Sequence, residues 1–451
     1  MRVWQVAALS ALGVAVLGGA SWARDIFVSP RGSDASPGTV DRPLATLRQA
    51  CLTANPGDVI CLRAGSYPEP VYWDQGGNGA PGAPISIRAC DGDRTARTGP
   101  ITLHNRQHIS ISGLDISGGG NALHIDGGSH HVYVRRCYVH DAGASGDCIK
   151  VNQCDYIFIE DNEVARPGKR ADGVTYQEGI DFVDVDFSAM RGNYLHDFGD
   201  MALYTKGGSE HTLIEGNVIS HQLNRDLNPA TGFGQGCYPI GLMDGATYQS
   251  YHCVFRNNII RDCPGGAVGT YDAYHAYFCH NLVHNCGDIE TGQPIVHQRT
   301  SSTFGEDGKT AGAYFFNNIF LDTRGEMPTV YGFRSGKLEG WRSSHNNYYN
   351  AGRPIPSAGF ADPNRERGAT LEDPGLAEPT GEATDRSGWL ALYAITAESR
   401  ALIDRGDEQA GERPAPRVER DVMGVPRPQG AGWDIGPFEW RGELGVSPET
   451  P

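Results

Sequence analysis

A cluster of acidic residues in the middle of the chain has the types and spacing of a cation site. Its four carboxylates fall within nine residues and are Glu178, Asp181, Asp184 and Asp186. Hard carboxylate oxygens are the ligands that Ca²⁺ prefers. The sequence therefore predicts a Ca²⁺ site, provided that the chain bends near Val183 so that all four side chains face one way. A solvated turn at a strand end is the structural alternative.

Two lysines, Lys150 and Lys206, flank this cluster. A free lysine has a pKa near 10.4 and is a poor base at neutral pH. Carboxylates alone would keep it protonated, whereas bound Ca²⁺ would lower its pKa and stabilise negative charge that develops on a bound substrate. Lys206 and Lys150 are therefore the candidates for a catalytic base. Either lysine could instead be a solvated or paired surface residue.

Four further side chains suit the binding of a sugar chain. Aromatic and imidazole rings contact sugar faces, and arginine pairs with carboxylates. We predict substrate contacts from His124, Tyr204, Tyr271 and Arg299. A carboxylate pair such as Asp181 and Asp184 would also suit acid–base glycoside hydrolysis. A hydrolase is therefore a lesser alternative.

A repeat predicts how these residues are positioned. The pattern apolar, any, apolar, two of any, Asn, any, apolar recurs with centres 23 to 41 residues apart. Alternating short strands with such a period indicate a solenoid, whose Asn side chains would stack into a ladder of amide hydrogen bonds. The predicted centres are Leu114, Cys137, Asn162, Asn193, Asn217, Asn258, Asn281, Asn318 and Asn347.

A second strand follows the centres and supplies a predicted inward column of Leu123, Ile149, Ile180, Leu203, Ile240 and Val268. Because consecutive coils lie in register, the outward residues also form columns. One column contains His124, Lys150, Asp181 and Tyr204, and the next contains Asp126, Asn152, Val183, Lys206 and Met243. Lys150 then lies one coil from Asp181, and Lys206 lies about 8 Å from it by strand geometry.

The chain divides into four predicted regions. Residues 1–23 have a positive start, an apolar run too short to span a bilayer and small residues at their end, as in a signal peptide. Residues 24–100 form an N-terminal cap and first coils, in which a helix at 43–54 plugs the solenoid. Residues 101–350 form the β-helix, and residues 351–451 form a tail that packs on it.

The cysteines and the net charge limit the cellular location and the binding partners that the protein can have. Eleven cysteines in an exported chain indicate disulfides. Cys263 and Cys286 share one offset on consecutive coils, about 4.8 Å apart, so they form either a bridge or two buried thiols. A net charge of −16 disfavours nucleic acid and anionic membranes. We expect a secreted monomer whose partner is an extracellular polysaccharide.

Several segments resemble a known group of proteins. These are Asp25 to Pro30, Gly32 to Asp34, Pro37 to Thr39, and Pro56-Gly57-Asp58 through Tyr67. They resemble the opening of bacterial secreted β-helix proteins, including the pectate lyases of polysaccharide lyase family nine. The tail segment Asp434 to Glu439 resembles the end of choice-of-anchor β-helix proteins.

This resemblance implies an all-β, right-handed parallel β-helix solenoid with polysaccharide lyase activity. Lys206-Gly207-Gly208 resembles the lysine strand of family nine, in which a lysine removes the C5 proton of a uronate and the 4-linked sugar is eliminated. The resemblance implies Lys206 as the preferred catalytic base, with Lys150 as the reserve. The chain contains no Asp-Asp pair, which departs from the calcium-binding pattern of that family. A non-catalytic β-helix that binds glycans is the alternative from another class.

Overall fold

The computed structural model describes residues 23–169, 177–223, 229–233, 247–300, 307–408 and 417–442. In these residues the strands form two parallel sheets that wind around one core, as predicted for a β-helix. The sheet of 24 strands comprises Asp25–Val28, Val59–Leu62, Val71–Trp73, Ile85–Ala89, Ile101–His104, Gln107–Ser112, Leu123–Asp126, His130–Arg135, Ile149–Glu160, Ile180–Asp186, Ala189–Arg191, Leu203–Lys206, Ser209–Glu210, Leu213–Glu215, Thr231–Phe233, Ser250–Tyr251, Val254–Arg256, Val268–Tyr271, Ala273–Cys279, Val296–Arg299, Lys309–Phe316, Tyr331–Phe333, Lys337–Glu339 and Arg342–Ser344.

A second sheet covers the other side of the core. Its 11 strands are Gly65–Tyr67, Ala96–Thr98, Leu114–Ser117, Tyr138–His140, Glu163–Ala165, Tyr194–Phe198, Val218–Gln222, Ile259–Arg261, Leu282–His284, Ile319–Asp322 and Asn347–Asn350. Alternate apolar side chains of both sheets point inward and are fully buried. Burial of this continuous apolar column on every coil is the main stabilisation of the fold.

Helices are few and short. The N-terminal helix Leu47–Thr53 begins at Thr46, whose side chain accepts a hydrogen bond from the Gln49 amide. Its predicted apolar face is buried against the first strands. The tail contains the helix Arg386–Leu392 and the 3₁₀ turn Pro363–Arg365. Neither described α-helix has the length and apolarity that a membrane span requires.

The predicted asparagine ladder is present inside the turns. From Asn162 onward, each Asn Nδ2 donates to the Oδ1 of the Asn on the next coil at 2.9–3.1 Å. The last ladder residue is Asn346 rather than the predicted Asn347, because Ile319 pairs with Asn347 and so aligns Asn318 with Asn346. These bonds satisfy buried amides that would otherwise destabilise the core.

The predicted strand register is correct through the proposed site and differs after it. Leu123 pairs with Ile149, Ile149 with Ile180, and Ile180 with Leu203. On the next coil, however, Thr231 rather than Ile240 pairs with Leu203 and with Val268. The strand of this coil therefore begins earlier in the chain than the apolar pattern indicated. Ile240 and Met243 lie outside the described residues, as do residues 1–22 of the predicted signal peptide.

The disulfide that the described residues form lies in a different place from the predicted one. Cys61 and Cys90, on consecutive coils near the N-terminus, are bonded. Cys263 and Cys286 are two buried free thiols instead. Cys263 and Cys286 satisfy the register argument, whereas Cys61 pairs in register with Arg88 and Cys90 lies two residues further along. Strand register alone therefore did not identify the bridged pair. Burial raises the pKa of the Cys263 thiol well above its ordinary value, which makes it unreactive.

The C-terminal tail packs along the solenoid. Trp389 and Tyr393 are fully buried and contact outward residues of the smaller sheet, including Ile259 and Leu282. Trp341 and Phe360 pack edge to face beside the last coil of the core. An exposed final coil would leave an unpaired sheet edge, and the tail covers part of it.

Candidate active site

Two ammonium groups meet one buried carboxylate on the outer face of three consecutive coils. The strands Ile149–Glu160, Ile180–Asp186 and Leu203–Lys206 bring Lys150, Asp181 and Lys206 together. Lys150 Nζ contacts Asp181 Oδ2 and lies 3.2 Å from Asp147 Oδ2. Lys206 Nζ lies 3.3 Å from the same Asp181 oxygen. The side chain of Asp181 is 0% exposed, so its charge depends on these two partners.

The acidic cluster differs from the predicted set. Glu178 and Asp181 come together with Asp147, and the three groups offer oxygens within 4.8 Å of one another. Sequence reasoning missed Asp147, although it precedes Lys150 by the same three residues that separate Glu178 from Asp181. In the structure the Glu178 amide donates to Asp147 Oδ1 at 3.2 Å. The strand register that pairs Lys150 with Asp181 also aligns Asp147 with Glu178, and this alignment was the sequence signal for Asp147.

Asp184 and Asp186 do not join this cluster. Asp184 has a φ of +56°, and this left-handed residue turns the chain between the first and last parts of its strand. Asp186 Oδ1 accepts a hydrogen bond from the Glu210 amide at 2.8 Å. Burial raises the pKa of Asp186 to about 6, with Glu210 and Asp155 as its charged neighbours. The turn at Asp184 thus divides the predicted carboxylates between two places and removes the predicted Asp181–Asp184 pair.

The charges of the cluster compensate one another. Burial raises the pKa of the Asp181 carboxyl, but Lys206 and Lys150 outweigh this effect and hold it below its usual value. Burial lowers the pKa of Lys150, and the Asp181 and Asp147 carboxylates more than reverse this shift. Burial and Asp147 raise the pKa of Glu178 well above its usual value. Lys150 is therefore the lysine that these carboxylates keep protonated.

The predicted sugar-binding residues divide by exposure. Tyr204 is 0% exposed, donates to Glu178 Oε1 at 3.0 Å and accepts from Lys206 Nζ at 2.6 Å. Tyr271 is also buried. Neither ring presents a face on which a sugar could stack, because both rings are covered by neighbouring side chains. His124 is partly exposed, and Arg299 is exposed with its guanidinium 5.8 Å from the Tyr271 ring. Only these two remain accessible for direct contact.

The oxygen donors at the cluster fit a hard cation. All three candidate ligands are carboxyl groups. Among the described residues, the buried Oδ1 of Asp181 has no hydrogen-bond partner, as expected for an oxygen that faces a cation. The Lys150 ammonium, which contacts the other Asp181 oxygen and Asp147, would compete with such an ion. A cation at these carboxyl groups therefore requires Lys150 to move away from them.

Comparisons with known proteins agree with the fold. Residues 26–235 match the family model described as the Pel9A-like right-handed β-helix region. Pectate lyase PEL9 of Emericella nidulans is 40% identical over 71 residues, which cover 16% of this chain and 17% of that protein. The uncharacterized protein YwoF of Bacillus subtilis is 27% identical over 141 residues, 27% of this chain and 30% of that one. The chain thus spans less than a third of either curated relative.

Solved structures extend the likeness over most of the chain. The crystal structure of pectate lyase Pel9A has a TM-score of 0.53 and 14% identity, and the match covers 93% of this chain and 97% of that one. A rhamnogalacturonan lyase has a TM-score of 0.50 and 16% identity, with 72% and 87% covered. At these identities the likeness concerns the fold alone. Together with the strand register, the matches show that this protein is a right-handed parallel β-helix solenoid with a Pel9A-like β-helix region at residues 26–235.

Proposed function

We propose that the protein is a secreted polysaccharide lyase that cleaves a uronate-containing polysaccharide by β-elimination. The observation that carries the proposal is the convergence of Lys150 and Lys206 on Asp181, on adjacent coils of an outward face. Removal of a proton next to a carboxylate requires a base and a positive charge close to the reacting atoms. This site combines them with a group of carboxylates. Secretion is supported by the signal-like residues 1–23.

Lys206 is the proposed base. Lys150 touches two carboxylates of the cluster, whereas among the described residues Lys206 Nζ pairs with Asp181 alone and donates to the phenol of Tyr204. Neutral Lys206 accepts the C5 proton of the uronate, and the C–H electron pair forms the C4–C5 double bond. The C4–O bond breaks, and the leaving oxygen takes a proton from water.

Calcium is the proposed cofactor, held by Asp147, Glu178 and Asp181. When bound, the ion would pair with the uronate carboxylate and stabilise negative charge that develops during proton removal. The residues of the chain have defined tasks beside it. Asp181 holds Lys206 in position and Tyr204 orients the Lys206 amine, whereas Lys150 is the charged partner of the carboxylates only until the ion displaces it. His124 and Arg299 are the proposed sugar contacts at the accessible margin.

The decisive experiment is an ultraviolet assay for unsaturated uronate. Purified full-length chain is incubated with pectate, alginate and glycosaminoglycans, each with added Ca²⁺ and with chelator. A rise in absorbance on one polymer, and its loss in the Lys206→Ala variant, is the expected result. No signal on any of these polymers in either condition would contradict the lyase proposal.

A non-catalytic glycan-binding protein is the second candidate, and one observation favours it. Asp181 and Tyr204 are completely buried, so the centre of the cluster could serve as a structural ion-pair network. Both lysines lie within 4 Å of a cluster carboxylate, however, whereas a pure binding face would not need this convergence. Binding to a polysaccharide without any unsaturated product, unchanged by Lys206→Ala, would favour this second function.

A further inference from the structure

A continuous stack of rings runs along one corner of the solenoid. Each ring belongs to a residue with a left-handed φ between +51° and +55°, and strand pairing aligns these residues on seven consecutive coils. Centroids of neighbouring rings lie 4.7–5.6 Å apart. The stack consists of His108, His131, Tyr156, Phe187, His211, His252 and His275.

From His131 to His252 the rings are stacked face to face, which leaves ring edges rather than ring faces at the surface. His131 and Tyr156 are stacked with an interplanar angle of 30°, and Tyr156 and Phe187 with 19°. A ring whose faces are covered by its neighbours has no face left for a sugar. What an imidazole offers at its edge is a ring nitrogen, which donates a hydrogen bond or binds a metal ion. The surface chemistry of the stack is therefore that of imidazole nitrogens.

Among the described residues of this corner, one group of three histidines brings its ring nitrogens within 4.8 Å of one another. His130 precedes His131 and adds a second imidazole on the same coil, above His108. His108, His130 and His131 offer nitrogens within 4.8 Å of one another, and Nδ1 of His130 lies 2.9 Å from Nδ1 of His131. All three rings are half-buried, so their orientation is restrained by packing while their edges stay accessible. This group is called the three-histidine site below.

A carboxylate lies in register with the three-histidine site. Asp155 pairs with His130 on the next coil. A carboxylate beside histidine ligands is a common fourth ligand or hydrogen-bond acceptor.

We propose that His108, His130 and His131 bind one divalent transition-metal ion of the zinc type, with Asp155 as fourth ligand or as a support for the ligands. Three imidazoles with a carboxylate favour Zn²⁺, Co²⁺ or Ni²⁺ over the oxygen-seeking Ca²⁺. The site lies outside the lysine and carboxylate cluster and does not depend on lyase activity. Because the three histidines come from two adjacent coils, bound metal would crosslink those coils.

The test uses the untagged, chelator-treated full-length chain titrated with CoCl₂, followed by the visible absorption of Co²⁺. We expect binding of one equivalent that excess Zn²⁺ displaces and excess Ca²⁺ does not. His108→Phe and His131→Phe keep a ring in the stack, and each should lower the affinity by at least about 100-fold, because ligand loss exceeds the 10–100-fold effect of supporting residues. Asp155→Asn should lower it by about 10-fold.

His252→Phe is the matched control, since it removes an imidazole from the same stack outside the three-histidine site. This control should bind Co²⁺ with wild-type affinity. Circular dichroism of each variant verifies that the fold is intact. Absence of the Co²⁺ spectrum in the wild type would overturn the proposal. Wild-type affinity in His108→Phe and His131→Phe, or lost affinity in the control, would also overturn it.

Discussion

Lys206 Nζ lies 3.3 Å from Asp181 Oδ2, although Lys206 is two positions further along its strand than Tyr204, the residue that pairs with Asp181. Strand geometry alone separates the two positions by about 8 Å. The lysine side chain turns back along the strand, and its ammonium lies 4.7 Å from the centroid of the Tyr204 ring. Tyr204 and Asp181 thus fix the amine together.

Replacing Lys206 should remove the proposed activity with little effect on the fold. Lys206→Ala deletes the base, and general-base catalysis contributes about 10²–10⁴-fold to a rate. We expect kcat to fall by at least about 100-fold, measured as unsaturated uronate formed per minute. Lys337→Ala removes an exposed lysine far along the chain and serves as the control. A Lys206→Ala enzyme with wild-type kcat would assign the base to another residue.

Replacing Lys150 should reveal the competition between its ammonium and a calcium ion. Lys150→Met leaves Asp147 and part of Asp181 without a counter-charge, which costs about 3 kcal/mol of unfolding free energy in a buried pair. Added Ca²⁺ should recover part of this loss, and should stabilise the variant more than the wild type. Urea unfolding with and without CaCl₂ measures both quantities. Equal calcium effects on the two proteins would contradict a cation site at these carboxyl groups.

The pH dependence of stability should contain a contribution from the ring stack. Burial, then His211 and His275, lowers the pKa of His252 from 6.5 to about 4. Between these values the unfolded chain takes up a proton that the folded chain refuses, so stability that is present above pH 6.5 is lost as the pH falls towards 4. After discounting for partial exposure, the contribution is on the order of 1 kcal/mol.

The His252→Phe variant isolates this contribution. It retains a ring in the stack but cannot be protonated, so its Tm should fall less than that of the wild type between pH 6.5 and pH 4. Thermal unfolding at a series of pH values gives the comparison. Parallel Tm curves for the two proteins would show that His252 titrates normally in the folded state.

Thiol chemistry should distinguish the two cysteine pairs. Alkylation of the unfolded chain without reductant should label Cys263 and Cys286 and leave Cys61 and Cys90 as a crosslinked peptide in mass spectrometry. The double variant Cys61→Ser/Cys90→Ser should lose about 2–4 kcal/mol of unfolding free energy, because the unfolded chain gains freedom. Cys286→Ala should leave the crosslink unaffected. A peptide that joins Cys263 to Cys286 would contradict this arrangement.

The sequence by itself determined the solenoid. Regularly spaced Asn residues and alternating apolar residues specify coils that stack in register, and this register placed Lys150 beside Asp181 correctly. The reason is physical: a parallel solenoid has a lattice, so spacing along the chain converts directly into neighbours in space. The same rule would have found Asp147, had the offset from Lys150 been compared with that of Glu178 from Asp181.

Only the tertiary structure determined where the coils deviate from the regular strand register and from the alternation of inward and outward side chains. The left-handed turn at Asp184 separates Asp184 and Asp186 from Asp181. Packing buries Tyr204, which the alternation placed outward, and Tyr271, which was predicted to contact a sugar. The choice of Thr231 over Ile240 likewise depends on hydrogen bonds to two neighbouring coils. Local pattern specifies which face a residue could occupy, whereas side-chain packing and backbone turns across coils determine which one it does.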